Sequence, residues 1–482
     1  MNAALKDLEP QQIWKYFDRL TAIPRGSTKE AAVRDYARGV ANSLGLETIQ
    51  DSAGNLIVRK PSRPGRENAT PTVLQGHLDM VCEKNETTVH NFDKDPIKVI
   101  RDGDWLKADG TTLGADNGVG VASALAVMES NDIPHGPLEF VFTIDEETGF
   151  TGASEFRPGI LKSKYFLNLD SEDEGELCIG CAGGVNTYAT RNVKLAPPGA
   201  GSAWRIKVTG LRGGHSGVDI DQGRGNALRI MGSVLVDLLD RLSAQLAHIN
   251  GGSAHNAIPR EAVAVIVLDS SRENELRSLV AATEASYKTE LGAFDPGLQI
   301  LAEKADRPAS VFDAPGAKAT AALLVSLPNG ILAMSPDVQG LVQTSTNVAT
   351  IHTNGDLVEI VTSQRSAIVT SKDLAAQTVA TVCRLAGFTP EHKGDYPGWK
   401  PEPNSEIVRK LQDVHQKLFG HPAKLVAMHA GLECGVIGEK YPGMQLISFG
   451  PTIVGPHSPD ERVKISTVQN FWNYLKLVLA SV

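Results

Sequence analysis

The sequence predicts an α/β protein of two domains, one of which is a doubled α+β unit inserted into the other. The chain has 482 residues, more than one hydrophobic core usually serves, so two domains are expected. Apolar residues make up 41% and charged residues 21% of the chain, which is the balance of a globular protein. The pattern in which strands and helices alternate also changes along the chain, and this change marks the two domains.

Residues 1–182 are predicted to form the first part of an α/β layer domain. The apolar runs at 72–76, 138–144 and 164–170 have the length and composition of buried strands. Small residues dominate 118–128 and predict a helix packed closely on a sheet. This alternation of strands with helices is typical of a layered α/β architecture.

Residues 183–398 are predicted to be inserted into that domain as one block. Strands and helices alternate twice along it, which indicates a doubled α+β unit: strands 204–209 and 262–269 with helices 226–240 and 272–291, then strands 348–351 and 357–363 with helix 372–386. Segment 395–403 is rich in Pro and Gly and is predicted to be the return linker. Residues 399–482 are expected to complete the first domain.

The charge balance excludes two classes of partner. A net charge of -9 argues against binding to nucleic acid or to an anionic membrane.

No apolar run approaches the length of a membrane span, and the N-terminal segment carries charges where a secretory signal would be apolar. Five cysteines, an odd number scattered along the chain, suit reduced thiols. A cytoplasmic location is therefore predicted.

Residues with the chemistry of a metal site follow the predicted strands. His77 and Asp79 come directly after the apolar run 72–76, and residues two apart in an extended chain face the same way. A metal-bound imidazole generally needs a carboxylate or carbonyl to hold its other ring nitrogen. Asp79 is placed where it could do this for His77.

Further acidic residues follow two other strands and precede a helix. Glu146 and Glu147 come after one strand and Asp170 after another, while Asp116 opens the helix at 118–128. Taken singly, these acids have simpler interpretations, as a solvated turn or a helix cap. Their joint occurrence at the edge where open α/β sheets bind ligands favours a shared site. Because clustered carboxylates repel one another, such a site requires a counter-charge, which two divalent cations would supply.

The chain resembles the M20 metallopeptidases, in their aminoacyl-histidine dipeptidase branch (Xaa-His or β-alanyl-histidine dipeptidases). The matching stretches cover nearly the whole chain in the expected order: 76–85 (GHLDMVCEKN), 113–118 (LGADNG), 145–149 (DEETG), 168–172 (NLDSE), 179–184 (IGCAGG), 210–217 (GLRGGHSG), 429–435 (HAGLECG) and 455–459 (GPHSP). The resemblance implies a two-zinc aminopeptidase-like catalytic domain, with a mixed sheet between helices, and makes the inserted, doubled domain a lid.

The resemblance also implies the ligands of two metal ions per chain. His77 and Asp170 would bind one ion, Glu147 and His457 the other, and Asp116 would bridge the two. Zinc is the best match to imidazole and carboxylate ligands, with cobalt or manganese as substitutes.

By the same resemblance, two acidic residues have catalytic roles. Asp79 would support His77, and Glu146 would be the general base that takes a proton from a metal-bridging water and passes it to the leaving amine. The peptide bond between Asp116 and Asn117 would be cis.

The lid would contribute residues that bind the substrate. The resemblance implies that His215 stabilises the developing oxyanion, and that Asn256 and Arg365 hold the terminal carboxylate. The segment that begins at His429 would line the pocket near His457. A homodimer stays open, since the second half of the doubled lid could take the place of a partner subunit within one chain.

Three functions remain compatible with the sequence. The first is a metal-dependent dipeptidase that hydrolyses Xaa-His and other unblocked dipeptides. The second is an N-acyl amino acid deacylase or carboxypeptidase on the same two-zinc scaffold. The third is a non-catalytic metal-binding scaffold, which the loss of a ligand or of Glu146 would signal; none of these residues is lost.

Overall fold

Residues 2–482 are described by a computed structural model of the chain. Its α-helices are α1 (Gln11–Thr21), α2 (Ala31–Ser43), α3 (Ala115–Glu129), α4 (Glu146–Gly149), α5 (Thr151–Glu155), α6 (Ala227–Arg241), α7 (Glu273–Leu291), α8 (Ala314–Ser326), α9 (Val369–Leu385), α10 (Glu406–Phe419), α11 (Glu433–Lys440) and α12 (Ile465–Ser481). A 3-10 helix spans Ser270–Arg272. Within these residues, no helix combines the length and apolar character needed to cross a membrane.

The strands, in chain order, are β1 (Glu47–Gln50), β2 (Leu56–Lys60), β3 (Thr72–His77), β4 (Val99–Asp102), β5 (Trp105–Ala108), β6 (Leu138–Thr143), β7 (Tyr165–Asn168), β8 (Glu176–Cys181), β9 (Gly183–Asn192), β10 (Leu195–Ala196), β11 (Ser202–Thr209), β12 (Gly214–His215), β13 (Gln245–Gly251), β14 (Ala257–Ile258), β15 (Ala262–Leu268), β16 (Gln299–Lys304), β17 (Val311–Phe312), β18 (Gly330–Met334), β19 (Val342–Asn354), β20 (Leu357–Ser366), β21 (Thr389–Tyr396), β22 (Lys424–Met428), β23 (Gln445–Ser448), β24 (Ile453–Val454) and β25 (Arg462–Lys464).

The chain divides into two compact units. The first comprises the residues up to Gly180 together with Trp399–Ala427 and Leu432–Val482, and the second comprises Cys181–Gly398 and Met428–Gly431. The first boundary thus lies after residue 180, where the sequence predicts it after residue 182.

The short return of the chain to the second unit at Met428–Gly431 is not predicted by the sequence. The backbone N–H of Ala182 donates to the carbonyls of Met428 (3.0 Å) and Ala430 (3.1 Å). The ring of His429 also bonds to the second unit, with Nε2 lying 2.7 Å from Ser345 Oγ. Because these hydrogen bonds join residues far apart in the chain, no change of composition in the sequence marks the segment.

The first unit is built on an eight-stranded sheet in the order β1-β2-β6-β3-β7-β23-β8-β22. β3 runs parallel to β6 and β7, and β7 parallel to β23, whereas β2 is antiparallel to β6. The predicted mixed sheet is confirmed. Every residue of β3, β6 and β7 is buried, which explains why these strands read as continuous apolar runs rather than alternating ones.

Helix α3 lies directly against this sheet, contacting β3 and α1. Its composition allows the close approach: a Cβ added at Gly120 would lie 2.4 Å from the carbonyl oxygen of Leu169. The element is assigned from Ala115, but Asp116 and Asn117 have non-helical φ and ψ, so the regular helix begins at Gly118, as the sequence predicts.

The second unit contains a nine-stranded sheet in the order β16-β11-β15-β13-β19-β20-β9-β21, with β18 also paired to β19. The two halves of this sheet meet where β13 pairs with β19, through the single pair Gly251 and Ile351. The doubled α+β architecture predicted for the lid is confirmed.

Two sequence-based boundaries within this unit are wrong. β19 spans 13 residues where only 348–351 is predicted, because alternating polar residues hide its ends. β21 reaches Tyr396, inside the predicted linker 395–403, because β9 offers it a partner as far as Gly184.

Candidate metal centre

The ends of three adjacent strands bring the candidate residues of the first unit together. His77 is the last residue of β3, Asp170 lies two residues beyond β7, and Glu146 and Glu147 open α4 just after β6. Since β3, β6 and β7 are parallel neighbours, their carboxyl ends share one edge of the sheet, where α/β proteins commonly bind ligands.

One group of three side chains at this edge is centred on His77. Its Nε2 lies 3.1 Å from Asp116 Oδ1 and 3.4 Å from Asp170 Oδ1. All three side chains are largely buried, and their potential ligand atoms lie within 4.8 Å of one another. This is the spacing at which three protein atoms can hold one cation.

A second group shares Asp116 with the first. Nε2 of His457, on the loop between β24 and β25, lies 3.4 Å from Asp116 Oδ2 and 2.9 Å from Glu147 Oε2. The two oxygens of Asp116 thus face two different imidazoles. The arrangement is that of two adjoining sites with one common carboxylate.

The donor set and one orphaned carboxylate oxygen fit a pair of divalent cations. Oε1 of Glu147 is buried and accepts no hydrogen bond from any residue in 2–482. Buried polar atoms are rarely left without a partner. Nitrogen and carboxylate oxygen are the donors that zinc prefers, so these residues fit the ions that the sequence implies.

The electrostatics of the polypeptide alone reflect this crowding. Burial raises the pKa of Asp170 to about 7, and the nearby Asp116 and Glu147 act in the same direction. Hydrogen bonds to Asp116 and Glu147 raise the pKa of His457 to about 11. Without cations, protons on the imidazoles must balance the carboxylates.

Asp79 connects His77 to the helix that carries the two glutamates. Its Oδ1 lies 3.3 Å from His77 Nδ1 and accepts the backbone N–H of Glu146 at 3.1 Å, while its Oδ2 accepts that of Glu147 at 3.2 Å. Burial alone would raise the pKa of Asp79, but its hydrogen bonds lower it to about 2. An ionised carboxylate therefore fixes both the imidazole and α4.

Glu146 stands beside the cluster without belonging to either group that includes Asp116. One of its carboxylate oxygens lies within 4.8 Å of ligand atoms of His77 and Glu147. Burial raises the pKa of Glu146 well above its usual value, and the neighbouring Asp170 and Glu147 add to the effect. A partly buried carboxyl group of raised pKa is suited to proton transfer near neutral pH.

Polar residues lie just below the ligands, and sequence reasoning did not predict this role for them. Buried Glu433 accepts hydrogen bonds from Gln75 Nε2 (2.5 Å) and Thr143 Oγ1 (2.7 Å), and Asn168 Nδ2 donates to Gln75 Oε1 (2.5 Å). Gln75 lies two residues before His77 on β3, and Asn168, the last residue of β7, lies two residues before Asp170. The alternation of a strand could have indicated them, because each shares a face with a candidate ligand.

In the second unit, Arg365 is a buried cation without an acidic partner. It is 7% exposed, and within residues 2–482 no carboxylate lies within 4.0 Å of its guanidinium. Its Nη1 donates to the hydroxyl of Tyr396 at 3.2 Å, and its Nε is buried without an acceptor. Such a group is suited to an anion, because an unpaired buried charge is costly. Tyr396 is a further residue that the sequence did not indicate.

His215, also in the second unit, has a defined tautomer. Its Nδ1 accepts the backbone N–H groups of Gly217 and Val218, both at 3.2 Å, which leaves the proton of the neutral ring on Nε2. Burial lowers the pKa of His215, and Arg365 acts in the same direction. The ring is therefore a neutral hydrogen-bond donor.

The remaining two residues singled out in this unit differ in environment. Asn256 is exposed, and its carbonyl accepts the N–H of Ser216 at 2.8 Å. His429 is buried, and burial, together with Arg365, lowers its pKa to about 3. His429 belongs to the second unit.

The peptide bond between Asp116 and Asn117 is cis, as the resemblance implies. Asn117 is buried, and its Nδ2 donates to the carbonyl of Leu169 at 2.7 Å.

Comparison with known families gives a match over most of the chain. The family described as Peptidase family M20/M25/M40 matches residues 73–481. The chain is 40% identical over 481 residues to the cytosol non-specific dipeptidase of Escherichia coli (strain K12), covering 99% of each chain.

Solved structures agree with this match. The aminoacylhistidine dipeptidase from Vibrio alginolyticus superposes with a TM-score of 0.92 at 42% identity, over 99% of this chain and 98% of that one. The aminopeptidase PepT from Bacillus cereus superposes with a TM-score of 0.57 at 16% identity, over 98% and 99%, which is a likeness of fold alone.

Replacing Asp116 with Ala is expected to release most of the bound metal, because both candidate sites lose a ligand. The measurement is elemental analysis of the purified protein after dialysis, where we expect about two divalent ions per unaltered chain and fewer than one in Asp116→Ala. Retention of both ions by the variant would refute the bridging role.

Proposed function

Since the chain belongs to peptidase family M20/M25/M40, we propose that it is a metal-dependent dipeptidase acting on unblocked dipeptides, Xaa-His among them. The observation that carries the proposal is the pair of adjoining ligand groups that share Asp116, with Glu146 beside them. Both the Escherichia coli relative and the Vibrio alginolyticus structure are named as dipeptidases, which supports this substrate class.

The two ions would be held by the five residues of the shared-carboxylate arrangement. His77 and Asp170 would bind one, His457 and Glu147 the other, and Asp116 both. We propose zinc, with cobalt or manganese as substitutes. Bound there, the ions would act as Lewis acids towards the attacking water and the scissile carbonyl.

Glu146 is proposed to move the proton. Its carboxylate takes a proton from the attacking water and delivers it to the nitrogen of the leaving amine, so that the amide bond breaks and two amino acids leave. Asp79 assists by fixing α4 through the two backbone N–H groups that it accepts, which holds the Glu146 carboxylate at a set position relative to His77.

Arg365 and Asn256 are proposed to bind the terminal carboxylate of the dipeptide. The unpaired, buried guanidinium of Arg365 supports this role, since a carboxylate would satisfy both its charge and its orphaned Nε. The neutral Nε2–H of His215 is proposed to stabilise the oxyanion that develops on the scissile carbonyl.

The alternatives differ in what supports them. A deacylase or carboxypeptidase would use the same metals and the same Arg365, so only substrate preference separates it from a dipeptidase. A non-catalytic scaffold has no need of Glu146, a partly buried acid that belongs to neither of the metal-binding groups containing Asp116. A cytoplasmic location is proposed from the name of the Escherichia coli relative, a cytosol dipeptidase.

Replacing Glu146 with Gln is expected to leave both metals bound and to lower kcat by about 10²- to 10⁴-fold, the usual worth of a general base. The matched control is the neighbouring Glu147→Gln, which should weaken the binding of one ion instead. Steady-state kinetics and metal analysis of both variants test the assignment. Near-normal turnover by Glu146→Gln at neutral pH would contradict it.

A substrate panel tests the class of substrate. We expect β-alanyl-histidine and glycyl-histidine to outrun acetylated amino acids in direct competition. Amidation of the dipeptide's terminal carboxylate should cut kcat/KM by roughly ten- to a hundredfold, because a charge-assisted hydrogen bond is worth about 1.5–3 kcal/mol. Arg365→Ala should remove most of this discrimination, whereas His215→Ala should slow acid and amide alike.

Two results would contradict parts of this proposal separately. Equal cleavage of acid and amide by the unaltered protein would remove the carboxylate-binding role of Arg365. Faster hydrolysis of acetylated amino acids than of any dipeptide would replace the dipeptidase with a deacylase.

A further inference from the structure

Glu461, which no part of the proposed mechanism uses, binds the backbone of the turn that carries Asp116. Its Oε2 accepts the N–H groups of Leu113 (2.7 Å) and Gly114 (2.9 Å), and its Oε1 accepts those of Ala115 (2.7 Å) and Asp116 (3.2 Å). Glu461 is 2% exposed. One buried carboxylate therefore satisfies four consecutive amides.

These amides belong to the turn that leads into α3, in which Asp116 and Asn117 do not have helical φ and ψ. The first N–H groups of a helix have no partner within it and are usually satisfied by a side chain at the N-cap. The N-cap residue here is Gly114, in the left-handed region with φ 70°, and it has no side chain to offer. Glu461, distant in sequence, provides the missing acceptor.

Arg25 holds the carbonyl side of the same turn. Its Nη2 donates to the carbonyl of Gly114, and its Nη1 donates to those of Leu78 (2.9 Å) and Asp79 (2.6 Å). Arg25 is also 2% exposed. Its guanidinium thus joins the Asp116 turn to the segment that directly follows His77.

The geometry of the bridging carboxylate depends on this turn. Asp116 directs Oδ1 to His77 and Oδ2 to His457, at 3.1 and 3.4 Å. A rotation of its backbone would move both oxygens together. Glu461 lies four residues after His457, so the loop that supplies one ligand also fixes the backbone of the bridge.

We propose that Glu461 and Arg25 are positioning residues that orient the Asp116 bridge and thereby set the affinity of both metal ions at once. The proposal rests on the proposed function, in that it requires the centre to bind two ions. It separates these residues from the ligands, since a ligand of one ion, such as Glu147, affects that ion alone.

The test replaces Glu461 with Gln and measures metal affinity by competition with a chromophoric chelator. A glutamine places an NH₂ group against two N–H donors, so the turn must rearrange. We expect the affinity for both ions to fall by about ten- to a hundredfold, the usual effect of losing a group that orients ligands. Glu147→Gln should weaken only one of them.

Glu139→Gln is the matched control for a general loss of stability. Glu139 is 6% exposed, accepts the consecutive N–H groups of Lys162 (2.8 Å) and Ser163 (3.1 Å), and pairs with Arg59 at 3.2 Å. It lies near the start of β6, away from the ligands at the strand's other end. This variant should lower the thermal stability of the metal-free protein and leave both metal affinities unchanged.

Arg25→Lys provides the second variant, in case Glu461→Gln does not fold. A single ammonium cannot bind Gly114 and the carbonyls after His77 together, so the same joint weakening is expected. Wild-type affinity for both ions in either folded variant would overturn the proposal, as would equal weakening in Glu139→Gln. Absence of metal binding by the unaltered protein would instead overturn the proposed function.

Discussion

Mutual repulsion among buried carboxylates is the constraint on which the rest of the molecule depends. Asp79, Asp116, Glu146, Glu147 and Asp170 meet at one sheet edge, with the imidazoles of His77 and His457 among them. Ionised carboxylates this close are costly to desolvate unless opposite charge accompanies them. In the polypeptide alone, protons on the imidazoles can balance the negative charge. Divalent cations can balance it while the carboxylates stay ionised and the imidazoles neutral.

The fold supplies the rigidity that this charge cluster requires. Three parallel, fully buried strands set the spacing of His77, the glutamates and Asp170, and the hydrogen bonds of Gln75, Thr143 and Glu433 tie those strands together just below the ligands. Groups that orient ligands are often as important as the ligands themselves. Here the orienting groups come from segments of the first unit far apart in sequence.

The sequence predicted that the strand-end residues would lie together, for a physical reason. Buried parallel strands have apolar sequences throughout, so their positions could be predicted. Because parallel strands end at the same edge of a sheet, the residues at their carboxyl ends, such as His77 and Asp170, were expected to meet. His457 was different: it lies in a short loop among turn residues, and only the family resemblance pointed to it. The roles of Arg25 and Glu461 were not predicted, because both side chains bind backbone atoms. Such contacts leave no residue pattern in the sequence.

The most direct measurement of the central claim is the anomalous scattering of crystals grown with zinc and recorded at the zinc absorption edge. The account predicts two peaks per chain, about 3.5–4 Å apart as in other two-metal sites, with one oxygen of Asp116 on each. A single peak, or two peaks that do not share Asp116, would contradict it.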